Sequence, residues 1–201
     1  MADIKISQLP LKSTLLSGTD LLEVSEAQLI PGVFVSKKMN RLKLTESIFA
    51  MGQRASFYND QTQIALAINT PTVISLPFIE NQNGVNLNGV GQIEVTNEGL
   101  YNLQISAQIY RTTIGTSQHL DVWLRVNGTD LVNTNRRVNV NNHTTYIVES
   151  LNYFVQLNAL DYIEIIFSTT STDIQLQAEP INITIPHPET PSVIATINRI
   201  G

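Results

Sequence analysis

From Leu100 to Tyr110 apolar and polar side chains alternate without a break. Tyr101, Leu103, Ile105, Ala107 and Ile109 fall on one side, and Asn102, Gln104, Ser106 and Gln108 on the other. Period two held over that length predicts a long strand with one dry face and one wet face. Leu120, Val122, Leu124 and Val126 repeat the pattern, with Asp121, Trp123 and Arg125 opposite. Asn127-Gly128 follows at once, a pair that favours a tight hairpin because both turn positions take positive φ. Asn83-Gly84 and Asn88-Gly89 place the same chemistry in an earlier loop. Further alternating or β-branched runs predict strands over residues 63–69, 72–76, 91–95, 145–156, 162–168, 173–178 and 192–200. Eight to ten strands at turn-punctuated spacing, with almost no helical period, predict an all-β sandwich or jelly roll.

The first 56 residues read differently, as short pieces. Ile4-Lys5-Ile6 is a brief strand stopped by Leu9-Pro10, and Ser17-Gly18-Thr19-Asp20 is a turn before a second strand, Leu21-Leu22-Glu23-Val24. Pro31-Gly32 is another turn, ahead of Val33-Phe34-Val35, and Arg41-Leu42-Lys43-Leu44 alternates again. Thr45 has the chemistry to cap a short helix through Met51. A segment this short buries little apolar surface alone and is expected to need a partner.

Charge separates the same two parts. All five lysines lie in the first 43 residues; residues 1–56 carry seven basic and five acidic side chains, net +2, whereas residues 57–201 carry five and twelve, net −7. Two units with different surfaces are expected, 1–56 and 57–201. The whole chain is at −5, with charged residues only 14% of its 201, so neither nucleic-acid binding nor a charge-dominated surface is expected. The chain has no cysteine, which excludes disulfides, thiolate metal sites and cysteine nucleophiles. The opening Met1-Ala2-Asp3-Ile4-Lys5 lacks the pattern of a secretory signal, and no apolar run has the length of a membrane span, so synthesis in a cytoplasm without membrane insertion is expected. The Asn-x-Thr triplets at Asn127, Asn142 and Asn182 are then read as chance in an Asn- and Thr-rich chain.

Candidate chemistry is sparse. The three histidines, His119, His143 and His187, have no metal-ligand spacing, although strand pairing could join His119 to His143. His187 stands between two prolines. No Gly-x-Ser-x-Gly elbow and no glycine-rich phosphate loop occurs. Glu94 with Glu98, or Asp161 with Glu164, are carboxylate pairs in principle, read as exposed strand-end residues. Asp121 and Asp130 flank the Asn127-Gly128 turn and could help hold a calcium ion, but calcium loops concentrate more acids than this. No catalytic residue, cofactor or metal is expected, and the chain is read as a non-enzyme. The candidate contacts to a partner or ligand are Trp123, Arg136, Arg137, His119 and His143. Arg136-Arg137 is the only basic doublet in the acidic part; it would bind a carboxylate or sialic-type ligand, pair across subunits, or simply end a strand in solvent. Trp123 lies on the polar side of its strand, where a subunit or a sugar ring would cover it.

Two resemblances cover most of the chain. Ile4-Lys5-Ile6-Ser7-Gln8-Leu9-Pro10 and Ser17-Gly18-Thr19-Asp20-Leu21-Leu22-Glu23-Val24 resemble the N-terminal module of many bacteriophage fibre and virion proteins. That module implies anchoring of the protein to the particle through other virion proteins of the capsid, portal or tail. This chain departs from it in the lysine-rich Ser36-Lys37-Lys38-Met39. The remainder is similar to the trimeric jelly rolls of the tumour-necrosis-factor and complement globular-head type. The matching pieces are Gly99-Leu100-Tyr101, Trp123-Leu124-Arg125-Val126-Asn127-Gly128 and the segment 155–165, where Asp161 takes the family's aspartate position but Leu160 stands in place of its glycine. The final run 192–197 lacks the aromatic residue usual in the closing strand. The resemblances imply a virion protein assembled in the host cytoplasm. It would be a homotrimeric short fibre, head fibre or capsid decoration protein, or alternatively a receptor-binding tail fibre or spike touching a host glycan or protein. Tyr101, Tyr153, Phe154, Tyr162 and Phe167 are packing candidates, and the loops 82–91, 112–119 and 134–144 are candidate tips.

Overall fold

The computed structural model describes residues 21–27, 34–40, 52–141 and 145–201, the first two segments as backbone strands. The chain divides into two units, Met1–Phe49 and Ala50–Gly201. In the first, β1 (Leu21–Ala27) and β2 (Phe34–Asn40) pair antiparallel, Leu21 opposite Asn40 and Ala27 opposite Phe34. Lys37, Lys38 and Met39 therefore belong to a strand. The expected strand at Ile4, the strand at Arg41 and the helix from Thr45 lie outside the described residues.

The second unit is a jelly roll of two seven-stranded antiparallel sheets, and its described residues contain no helix. The first sheet is built on β3 (Arg54–Asn59), β4 (Gln63–Ile64), β6 (Phe78–Asn83), β9 (Gly99–Arg111), β13 (Ile147–Leu157), β15 (Ile174–Leu176) and β16 (Val193–Arg199). The second holds β5 (Thr72–Val73), β7 (Val85–Asn88), β8 (Gln92–Val95), β10 (Gln118–Val126), β11 (Thr129–Asp130), β12 (Arg136–Val140) and β14 (Tyr162–Thr169). The chain crosses repeatedly between them, so that β9 and β10, or β13 and β14, are consecutive in sequence and lie in opposite sheets. In the first sheet β9 is central, flanked along its length by β13 and on the other side by β16 and β15.

Alternation is what builds the core. Tyr101, Leu103, Ile105, Ala107 and Ile109 of β9 are all buried, facing Leu120, Val122 and Leu124 of β10 and Ile163, Ile165 and Phe167 of β14. Tyr101 is wholly inside because its hydroxyl has partners, the side chain of Gln53 and the carbonyl of Asn97 at 2.7 Å. Among the aromatic packing candidates, Tyr101 and Phe167 are core, Tyr153 packs at its edge, and Phe154 points out of it. Gly99, which opens β9, has a reason to be glycine: a Cβ there would lie 2.4 Å from the Gly201 carbonyl oxygen.

Turn chemistry is equally literal at Asn127-Gly128, where φ is 49° and 78° and Val126 pairs with Thr129. Asp161 braces this hairpin from the adjacent turn, accepting from Asn127 Nδ2 at 2.7 Å and from the Asn158 backbone N–H at 2.7 Å. Those hydrogen bonds, that from Asn127 first, hold the Asp161 carboxyl below its ordinary value. Leu160, preceding it, has φ of 67° and is 67% exposed. A left-handed leucine is strained and here buries little in return. Leu160→Gly is therefore expected to raise stability by about 0.5–1 kcal/mol, read as a higher melting temperature with an unchanged β spectrum.

Several expected boundaries move. Residues 54–56, on the far side of the 56/57 division, form the start of β3, paired to β16 and β6. Residues 136–140, read as a tip loop, are a strand paired with β10, and residues 85–88 of the expected 82–91 loop are an edge strand paired with β8. The strand expected over 63–69 stops at Ile64, with Leu66 and Ile68 exposed.

Candidate functional site

The outer faces of the two sheets differ in kind. On the second sheet, His119, Asp121, Trp123 and Arg125 leave β10 away from the core, the parity opposite to buried Leu120, Val122 and Leu124. Register brings Arg137 opposite Asp121. Asp121 accepts from Arg137 Nε and Nη2, each at 3.0 Å, and from Asn135 Nδ2 at 3.3 Å; His119 Nε2 is 3.7 Å away. Burial acts to raise the Asp121 carboxyl, but these hydrogen bonds and the charges of Arg137 and His119 outweigh it and hold the group below its ordinary value. Across the hairpin, Asp130 Oδ1 accepts from Trp123 Nε1 and from Arg125 Nε, both at 2.9 Å. The indole bond is the main reason the Asp130 carboxyl is also lowered.

Trp123 is thereby fixed, its one donor satisfied and its ring half-buried. In register it lies opposite Ile166 of β14, which is fully buried although Ile165 and Phe167 take the core side. A depression of ≈ 430 Å³ opens over the ring. Its walls are the Asn69–Pro71 turn, Ser168, and the loop carrying Leu131, Val132, Asn133 and Asn135. That loop is pinned by Thr134, whose hydroxyl accepts from Leu124 N at 3.1 Å and donates to Leu131 O at 2.7 Å.

Of the candidate residues, His119, Trp123 and Arg137 share this face. Arg136 does not join them: neighbouring residues of a strand point to opposite sides, so the basic doublet is divided and cannot clamp one carboxylate together. His143 lies outside the described residues. Asp121 and Asp130, considered for calcium, each already hold an arginine, and among the described residues no three metal-ligating side chains gather. Glu164 is not at an exposed strand end: it is buried on β14, accepting from Gln92 Nε2 at 3.2 Å.

The outer face of the first sheet carries no charge over its centre. From β9, β13 and β16 it presents Gln104, Ser106, Ser150, Asn152, Ile194 and Thr196 around a shallow hollow of ≈ 390 Å³. Val148 and Phe154, outward on β13, are 59% and 64% exposed. Beside this face rises the segment between β15 and β16, closed by bridges of Glu179 to Thr190 and Asn182 to His187. It is held there by the Tyr146 hydroxyl on Glu179 and by Gln108 Nε2 on the Gln177 carbonyl at 2.9 Å, while Ile181, Ile183 and Ile185 stand in solvent. His187 belongs to this segment, its Nδ1 2.6 Å from the Pro188 carbonyl.

A further residue was missed by the sequence reading. Arg111 ends β9 on the core side and is buried. It donates from Nε to Asp173 at 3.0 Å and from Nη1 to the carbonyls of Thr116 at 2.8 Å and Val140 at 3.2 Å. One guanidinium thus ties the loops at Thr116 and Asp173 to the end of β12 at one end of the jelly roll. Its parity was the available signal: 111 continues the inward series 101–109, where a charge requires a partner.

No family model matches the chain, and no curated protein matches it in sequence. Solved structures similar to it include Eiger TNF from S. frugiperda, at 12% identity and a TM-score of 0.47 over 75% of this chain and 93% of that one. The globular domain of zebrafish complement 1qA protein is similar at 12% identity and a TM-score of 0.46, over 75% of this chain and 98% of that one.

Proposed function

We propose that this chain is a structural protein of a bacteriophage particle, a short fibre, head fibre or decoration protein. Its first unit would dock on other virion proteins and its jelly roll would assemble as a homotrimer. The observation that carries the assembly is the uncharged centre of the outer face of the first sheet. Residues 57–201 are at net −7, so copies of this unit repel over most of their surface. The face around Gln104, Ser106, Ser150 and Asn152 is where that repulsion is absent. Val148, Phe154 and Ile194 add apolar area to bury, and amides and hydroxyls can pair with their counterparts in a neighbouring copy. The three exposed isoleucines of the 179–190 segment extend the same surface. Placement on a phage particle is supported by the Ile4–Pro10 and Ser17–Val24 motifs, and threefold symmetry by the resemblance of the head to trimeric jelly rolls. Native mass spectrometry of the full chain is expected to give the mass of three copies, and antibody labelling is expected to decorate purified particles. A monomer at micromolar concentration removes the assembly, and unlabelled particles remove the virion placement.

A second reading, a receptor-binding tail fibre or spike, is favoured by the depression over Trp123, which lies on the sheet opposite the proposed interface. Binding of the full chain to host cells tests it, and no binding discards it.

A further inference from the structure

We propose that the depression over Trp123 is a binding site for a neutral saccharide. The site goes beyond the proposed assembly, which does not depend on it. Three features define the ligand class. First, the indole N–H is already given to Asp130, so what the ring offers a ligand is its apolar face, suited to the C–H side of a sugar. Second, the charges around the ring are matched, Asp121 by Arg137 and Asp130 by Arg125. An anionic ligand meets two carboxylates, and a cationic one must compete with two arginines, whereas an uncharged polyol meets neither obstacle. Third, polar groups remain for hydroxyls. Asp130 is 58% exposed and gives both of its described contacts through Oδ1, leaving Oδ2 open. Among the described residues the side-chain amides of Asn69 and Asn133, on opposite walls, make no hydrogen bond. Both residues hold left-handed backbone, φ 54° and 66°, so the walls are tight turns that asparagine tolerates. A hollow of ≈ 430 Å³ with a fixed aromatic floor and a few convergent polar groups has the make-up of a small-ligand site.

Trp123 is the chain's only tryptophan, so its fluorescence and its single indole N–H resonance report on this place alone. The full-length protein is applied to an array of neutral, sialylated and sulfated glycans. The strongest soluble neutral glycan is then titrated while both signals and the native mass are read. Expected are selective capture of neutral glycans, a saturable indole shift, and affinity weakened about ten-fold by Trp123→Ala. Asn133→Gly, which tolerates the positive φ and removes the amide with its Cβ, is expected to weaken it about three-fold with the fold intact. The proposal is overturned if no neutral glycan binds, if acidic glycans are preferred, or if binding leaves the indole unmoved or survives both substitutions. The native mass keeps this result separate from the trimer.

Discussion

Replacing Asp173 with alanine is expected to lower the unfolding free energy of the jelly-roll unit by about 3–5 kcal/mol, the cost of leaving a buried charge without its partner. Arg111 is 3% exposed and Asp173 14%, so water offers the abandoned guanidinium little compensation. The loss also spreads, because the Asp173 carboxylate accepts from the Thr113 hydroxyl as well. Urea unfolding followed by circular dichroism measures the change. A loss below about 1 kcal/mol, the range of exposed pairs, would mean the clamp is solvated and the loops are fixed by other means. The same carboxylate sets an acid limit. Burial works to raise it, but hydrogen bonds from Ser171, Thr113 and Arg111, together with the Arg111 charge, bring it from 3.8 to about 2. Its folded value lies below its unfolded value, so its contribution is complete above about pH 4 and is lost as pH falls through about 2. The difference in stability between wild type and Asp173→Ala should accordingly shrink across that window. Asp121, Asp130 and Asp161 are shifted in the same direction and steepen the wild-type acid transition.

How much was legible in the sequence depends on which interactions fix each element. β9 and β10 follow from their own residues, since period two assigns each side chain a face before any partner is known. The Asn127-Gly128 hairpin follows likewise from local chemistry. The strand pattern alone leaves sandwich and jelly roll open, and it is the resemblance of the head to known jelly rolls that chooses between them, because strand order rests on pairings distant in sequence. β12 was not legible because Arg136-Arg137-Val138-Asn139-Val140 reads as a polar loop until it is laid against β10, which supplies Asp121 for Arg137. β7, Val85-Asn86-Leu87-Asn88, is a short edge strand between two Asn-Gly pairs and looks like a turn for the same reason. β3 was divided by the expected unit boundary, though Ala55, Phe57 and Asn59 alternate inward. The position of Trp123 on a polar face was visible, whereas its anchoring to Asp130 was not, because that bond depends on how the hairpin closes. Arg111 shows the reverse case, a residue whose parity announced a buried charge but whose partners come from two loops and the end of β12.

The second large effect expected is dissociation of the proposed trimer by Ser106→Glu. Ser106 lies between Ser150 of β13 and Ile194 of β16 in register, in the middle of the uncharged face, and its side chain is directed away from the core. A glutamate there leaves the sheet's own packing alone but adds one carboxylate per copy to the centre of the face, which carries no charge. Burying it unpaired costs a desolvation that nothing on the face offsets, and facing it with its like in a neighbouring copy adds several kcal/mol of repulsion. Together these exceed the roughly 1.4 kcal/mol that shifts an association constant ten-fold, so monomers are expected at micromolar concentration with β structure retained. Asn139→Glu, the same change on the exposed outer edge of the second sheet, is expected to leave the assembly whole. Concentration dependence distinguishes the two states: the melting temperature of an assembling chain rises with protein concentration, and that of Ser106→Glu should not. A trimer that survives Ser106→Glu would move the interface off this sheet, and with it the reason that its face carries amides and hydroxyls where the opposite sheet carries charge.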